Sequence, residues 1–239
     1  EGRALHNVQN AMFAAALAWG LKISRENIEH GLRTFTTSFF QAPGRLNVFD
    51  EHPFKVIMDY AHNAHGVSAM ANLTDQLNIA GKRIVVMAAP GDRRDEDILE
   101  LAQAAAGHYD TYICKRDDHT RGRRGDEVPA LLHKGLIESG VDAARIEVIE
   151  DEQEAITSAL KRARPGDLVV VFADNIPRSW KQIIYFKPEI QAASEKPNLT
   201  SAPAAAIGSL MGFEDYSEPQ SMEIRQDERG VYLAPEEAD

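Results

Sequence analysis

The chain has 239 residues, of which 44% are apolar and 26% charged, enough for one large or two smaller globular domains. Its net charge of −11 argues against a surface built for nucleic-acid phosphates, and its longest apolar runs, "RIVVMAAP" and "DLVVVFA", are too short to span a membrane. A single cysteine, Cys114, excludes an internal disulfide and reads as a buried strand residue in a reducing cytoplasm, and no secretory signal opens the chain.

The sequence starts without Met, and its first residues read as the middle of a unit, so a fragment of a longer protein is expected. Residues 4–35 predict two helices, the Ala-rich "NVQNAMFAAALAWGL", broken at Gly20, and "SRENIEHGLRTF", capped by Ser24. "SFFQAPGR" at 38–45 reads as a linker. From residue 53 onward, Val- and Ile-rich runs at 54–58, 83–88, 109–114, 145–149 and 167–173 predict strands buried on both faces. Segments 66–78, 95–107, 126–139 and 151–164 between them carry helical spacing. This alternation predicts an α/β domain, a parallel sheet wrapped by helices on both faces. Beyond residue 190 the sequence turns small and Pro-rich, then acidic. Residues 195–239 hold ten acids against three bases, so 191–239 is expected to be a disordered or loosely docked tail.

Polar clusters follow five of the predicted strands, the edge where open α/β sheets bind ligands. "DYAHNAH" places Asp59, Tyr60, His62 and Asn63 at the end of the first. Asp59 is suited to accept ribose hydroxyls and Tyr60 to stack, but Asp59 and Asn63 acting as helix caps account for the pattern equally. Asn7 and Asn10, three apart in "LHNVQNA", share a helical face able to read a purine edge, or serve as a cap and a solvent-facing amide. Arg45 follows a Pro-Gly turn and is suited to fork onto phosphate. In "APGDRRDED" the acids read as caps, which leaves Arg93 and Arg94 without a role. "KRDDHTRGRRGDE" carries Asp117 and Asp118 and otherwise reads as a solvated loop, while "ADNIPRSW" carries Asp174, Asn175 and Arg178. No His-x-x-x-His and no cysteine pair occurs, so no all-protein metal site is expected, although Asp117–Asp118–His119 imitates one, and no Gly-x-x-x-x-Gly-Lys-Ser/Thr loop occurs.

Taken in order, "HNVQNAMFAAALA", "PGR" and "DYAHNAH" resemble the Mur ligase superfamily of amide ligases. "GRLNVFDEHPFKVIMDYAHNAHG", "APGDRRDEDI" and "DNIPRSWKQIIYF" are similar to the ligase-like C-terminal region of the cyanophycin synthetase family. The resemblance covers roughly residues 1–190 and extends to "IRQDERGVYLAPEE". It implies that 1–40 end a central ATPase domain, that 41–190 form a Rossmann-like C-terminal domain, and that 191–239 form the tail. It further implies that Asn7 and Asn10 contact adenine, Asp59 the ribose and Arg45 the phosphates. Tyr60 and His62 line the nucleotide and acyl-phosphate side, with Arg45 and His62 in catalytic roles. Asp117, Asp118, Asp174 and Arg178 are the candidates for binding substrate. The implied partners are ATP, Mg2+ (held mostly outside these residues), arginine, a poly-aspartate or cyanophycin chain, the preceding domains of the same protein and further copies of it. Ala64 departs from the family pattern, which has Pro there, and is expected to relax the turn without removing a polar contact. Two other outcomes stay open. One is a paralogue that polymerises preformed β-Asp-Arg dipeptide; the other is a non-catalytic scaffold.

Overall fold

The computed structural model describes residues 4–188, 222–227 and 230–235. By their contacts the residues separate into two units, Glu1–Ile190 and Gln191–Asp239.

The first unit opens with helices α1 (Leu5–Gly20) and α2 (Arg25–Thr34). Ser24 caps α2 as its sequence predicts, its Oγ accepting the Asn27 N–H at 3.3 Å. No residue of either helix is buried, and Met12, Phe13, Leu17 and Trp19 are each 67–70% exposed.

A six-stranded sheet follows, made of β1 (Asn47–Phe49), β2 (Lys55–Asp59), β3 (Arg83–Met87), β4 (Thr111–Cys114), β5 (Ile146–Val148) and β6 (Leu168–Phe172) in the order β1-β2-β6-β3-β4-β5. Every pairing is parallel except that of β1 with β2. The five predicted strands appear within two residues of their expected ends. Helices α3 (Ala64–Asp75), α4 (Asp95–Ala105), α5 (Glu127–Glu138) and α6 (Glu152–Arg162) appear within three. Besides a single 3-10 turn at Ala143–Arg145, two elements of this unit have no counterpart in the sequence reading. These are the short antiparallel edge β1 and α7 (Ile176–Tyr185), which starts after the Asn175 cap with Pro in its first turn.

Alternation along each strand builds two cores. Ile57, Val85, Met87, Tyr112, Cys114 and Val170 pack with α3, α4 and α5 on one face. Val56, Met58, Ile84, Val86, Ile113 and Val171 pack with α6 and α7 on the other. This is why the strands read as unbroken apolar runs. Each such side chain is essentially inaccessible and contributes roughly 1.5–3 kcal/mol. The chain leaves β2 and β3 toward one face and β6, which lies between them, toward the other. A crevice therefore opens beyond the carboxyl ends of these strands, the ligand position of open α/β sheets. The register keeps those ends level, with Asp59 opposite Phe172 and Met87 opposite Cys114.

In the second unit, β7 (Met222–Asp227) and β8 (Gly230–Pro235) pair antiparallel. The expectation of a disordered tail falls mainly on residues outside those described. Among the described residues, no helix is long and apolar enough to cross a membrane.

Candidate active site

The near wall of the crevice is the Pro-Gly-Arg turn. Gly44 is buried with φ +70°, a left-handed backbone that favours glycine, and a Cβ there would also crowd Ile176 Cδ1 at 2.8 Å. The turn is held from beneath by Asn47, a fully buried amide that accepts the Gly44 N–H at 2.7 Å and donates to the carbonyls of Thr37 and Ala42, both at 2.9 Å. Gly44 in turn accepts the Tyr60 N–H at 2.9 Å, which ties the turn to the end of β2. Arg45 thereby places its guanidinium 5.7 Å from the centre of the Tyr60 ring, within cation–π range.

Asp59 ends β2, and its Oδ2 accepts the N–H of Leu46, a residue in the left-handed region at φ 51°, at 2.8 Å. Burial raises the Asp59 pKa above the usual carboxylate range, and the Leu46 N–H and Arg45 oppose that shift. The capping alternative therefore fails at Asp59 and holds at Asn63, whose Oδ1 accepts the Gly66 N–H of α3 at 2.8 Å. Ala64 is the first residue of that helix, a position whose geometry Pro suits well, and the Asn63 cap is intact without it. His62 has its Nδ1 2.9 Å from the Tyr60 carbonyl, which leaves Nε2 for other contacts.

The far wall comes from β4, α6 and the β6–α7 connection. Lys115 and Glu152 are completely buried and 2.8 Å apart. Besides its ion pair with Lys115, the Glu152 carboxylate accepts the N–H groups of Asp174 (2.7 Å) and Asn175 (3.1 Å), the Ser179 hydroxyl (2.8 Å) and Arg178 Nη2 (3.2 Å). Burial works against its ionisation, but Lys115 and these donors outweigh it and bring its pKa down to about 2. Asp118 is gripped by Arg178 through two contacts of 2.9 Å, and its own N–H reaches Asp174 Oδ2 at 2.9 Å. Asp117 stands apart, 3.8 Å from Lys115. Its pKa is raised by burial and by the charges of Asp174 and Glu152, with Lys115 opposing. Two cations thus serve four carboxylates, and Asp117 and Asp174 have no cation in hydrogen-bonding contact among the described residues.

Between the walls lies a cleft of about 480 Å³ lined by Arg45, Tyr60, Asp118, His119, Asp174 and Asn175. A small adjoining hollow is lined by Tyr60, His62, Asp117 and Asp174. The candidates Arg45, Tyr60, His62, Asp117, Asp118 and Asp174 are thus brought together, and Arg178 braces Asp118 from behind. Asn7 and Asn10 do share a helical face, with Asn10 Nδ2 3.4 Å from Asn7 Oδ1, but Asn7 is half-buried, Asn10 is exposed, and they line neither hollow. Neither caps that helix, whose N-cap position is Ala4 and which has no side-chain cap.

The loop read as solvated is pinned instead. Arg123 donates to the Gly91 and Arg93 carbonyls at 2.8 and 2.7 Å, and Arg121 pairs with Asp92 at 3.0 Å. Arg94 precedes α4 and pairs with Asp97 at 2.7 Å, which gives that arginine a structural role. Cys114 is buried, which pushes its thiol up to about 12. Asn47, Lys115, Glu152 and Ser179 carry much of the site, yet nothing in their local sequence separates them from ordinary strand-end and helix-start residues. Among the described residues no group of His, Cys, Asp and Glu is arranged to hold a metal ion.

The sequence model for the Mur ligase, glutamate ligase domain matches residues 44–175, more than half of the chain. The chain belongs to the Mur ligase family. It is 40% identical to the cyanophycin synthetase of Synechocystis sp. over 187 residues, 78% of this chain and 21% of that protein. It is also 40% identical to that of Trichormus variabilis over 76% of the chain and 20% of that protein. The chain therefore spans about a fifth of the length of these relatives. The crystal structure of the UDP-N-acetylmuramate–alanine ligase of Thermotoga maritima has the same fold, with a TM-score of 0.54 at 16% identity over 75% of this chain and 37% of that one.

Proposed function

We propose that these residues are the C-terminal part of an ATP-dependent ligase that joins arginine to the side-chain carboxyls of a poly-aspartate backbone, as in cyanophycin synthesis. The reading is carried by the 40% identity with cyanophycin synthetases over 78% of the chain. The cleft supports it, because two carboxylates without a cation of their own suit an incoming amino acid that ends in a guanidinium.

In this reading residues 1–40 close a central ATPase domain that precedes them in a longer protein. That domain would cover the apolar side chains of α1 and α2 and hold the triphosphate, because this sequence has no phosphate-cradling glycine loop. Bound Mg2+ would supply charge neutralisation at the phosphates, and its ligands lie outside the described residues. The β-carboxyl of an aspartate becomes an acyl phosphate as ATP is converted to ADP. The α-amino nitrogen of arginine then attacks the acyl carbon, the amide forms with loss of a proton, and phosphate leaves.

Residues of this chain position the reactants. Arg45, beside the Tyr60 ring, faces the phosphate that moves, and Asp59 faces the ribose. Asn7 and Asn10 read the adenine, His62 Nε2 lies toward the acyl group, and Asp117 with Asp174 takes the guanidinium.

The test is amino-acid dependence in the full-length ligase, with ATP and a poly-aspartate acceptor. Arginine should drive ADP release, and citrulline, its uncharged near-isostere, should be at least a hundredfold less effective. Equal use of the two would remove the basis for cation recognition.

A further inference from the structure

The Lys115–Glu152 pair lies beneath the cleft and lines neither of its hollows, so no contact with substrate explains it. Its contribution to stability does not explain it either, because a buried ion pair is commonly matched or exceeded by apolar residues of the same volume. Helix start-up is also provided for, since Asp151 Oδ1 accepts the Glu154 N–H at 2.9 Å and caps α6. What distinguishes Glu152 is which groups it collects. Its two oxygens pair with the ammonium at the end of β4 and accept both N–H groups of the Asp174–Asn175 corner and donors from the first turns of α7. Lys115 also ties the ends of β3 and β4, its N–H reaching the Met87 carbonyl at 2.9 Å. Two residues further along is Asp117, too far from Lys115 for a direct hydrogen bond, so its charge is tempered and not cancelled.

We propose that Glu152 and Lys115 are positioning residues for amino-acid selection. The pair fixes the Asp174 corner through its backbone and sets Asp117 beside a cation that is already committed elsewhere. The two carboxylates left over are thereby held in place for the cationic end of the incoming amino acid. Glu152 and Lys115 act only through Asp174 and Asp117, so their removal should affect the amino acid and not the nucleotide.

The experiment uses the full-length ligase with the double variant Lys115→Met/Glu152→Gln, which removes the pair without stranding a buried charge. The KM for arginine should rise about tenfold while the KM for ATP stays within twofold and thermal unfolding stays cooperative. A folded double variant whose arginine KM lies within twofold of wild type overturns the proposal. If the double variant does not fold, Ser179→Ala decides. It removes one Glu152 donor and keeps the pair, and should raise the arginine KM about threefold with the ATP KM unchanged; an unchanged arginine KM overturns the proposal. The inference rests on arginine being the incoming amino acid. Failure of that reading shows in the wild type, as ligation of some other amino acid, whereas failure of the positioning role shows as a flat variant-to-wild-type KM ratio for whichever amino acid is ligated.

Discussion

Asp117 differs from its neighbours in that its carboxylate accepts no hydrogen bond among the described residues, while Asp118 is doubly bound by Arg178 and Asp174 accepts the Asp118 N–H. It is therefore the carboxylate with the most to gain from a guanidinium. A charged hydrogen bond contributes roughly 1.5–3 kcal/mol, so Asp117→Asn in the full-length ligase should raise the arginine KM about tenfold or more and leave that of ATP alone. Because burial raises the Asp117 pKa above its ordinary 3.8, protonation sets in at a higher pH than for an exposed aspartate. Arginine binding should weaken as pH falls through that raised value, and this acid limb should be missing in Asp117→Asn. A variant that keeps both wild-type affinity and wild-type pH profile contradicts the assignment. On the nucleotide side, Asp59→Ala should raise the ATP KM about tenfold, whereas Arg45→Ala should lower turnover more than affinity if its charge acts as the phosphoryl group moves. Steady-state kinetics with ATP varied separates the two outcomes.

At the scale of elements, the site is held by a few buried polar groups, and single substitutions there should be costly. Glu152→Ala strands the Lys115 ammonium in the interior and should destabilise the protein by about 3–5 kcal/mol in chemical denaturation. The sign of its pH dependence follows from a depressed pKa. The Glu152 contribution is fully present above its ordinary 4.5 and is lost as pH falls toward about 2, so variant and wild type should converge in acid. A gap that persists at the lowest pH where both fold would contradict this. Gly44→Ala should cost about 1–2 kcal/mol from left-handed strain alone, with the crowding against Ile176 added to it.

The same elements show what a sequence discloses. Strands buried on both faces leave continuous Val and Ile runs, so the sheet and its helices were legible, and so was the edge where polar residues gather. β1 was not, because three residues with mixed burial leave no periodic trace, and α7 hid behind Pro177 and a short polar start. The rim residues were legible by position. Which of them are free and which are already paired depends on contacts across 22 to 60 residues, as in Glu152 with Asp174 and Arg178 with Asp118, and local spacing carries no record of such contacts.

Taken as a whole molecule, the chain has a cleft at the sheet edge and, in the proposed reading, supplies part of a ligase site, while its sequence lacks the loop that would cradle a triphosphate. The purified 239-residue chain should show no ATP hydrolysis, and turnover that survives removal of contaminants would contradict that division of labour. In the proposed reading the full-length protein adds free arginine, one residue at a time, to aspartate side chains. Product analysis tests it most directly, with poly-aspartate, ATP, and either free arginine or the preformed β-Asp-Arg dipeptide supplied in separate reactions. Free arginine should be incorporated through an amide to the β-carboxyl, with one ADP formed per residue added. Incorporation of the dipeptide as an intact unit, with free arginine left unused, would contradict it.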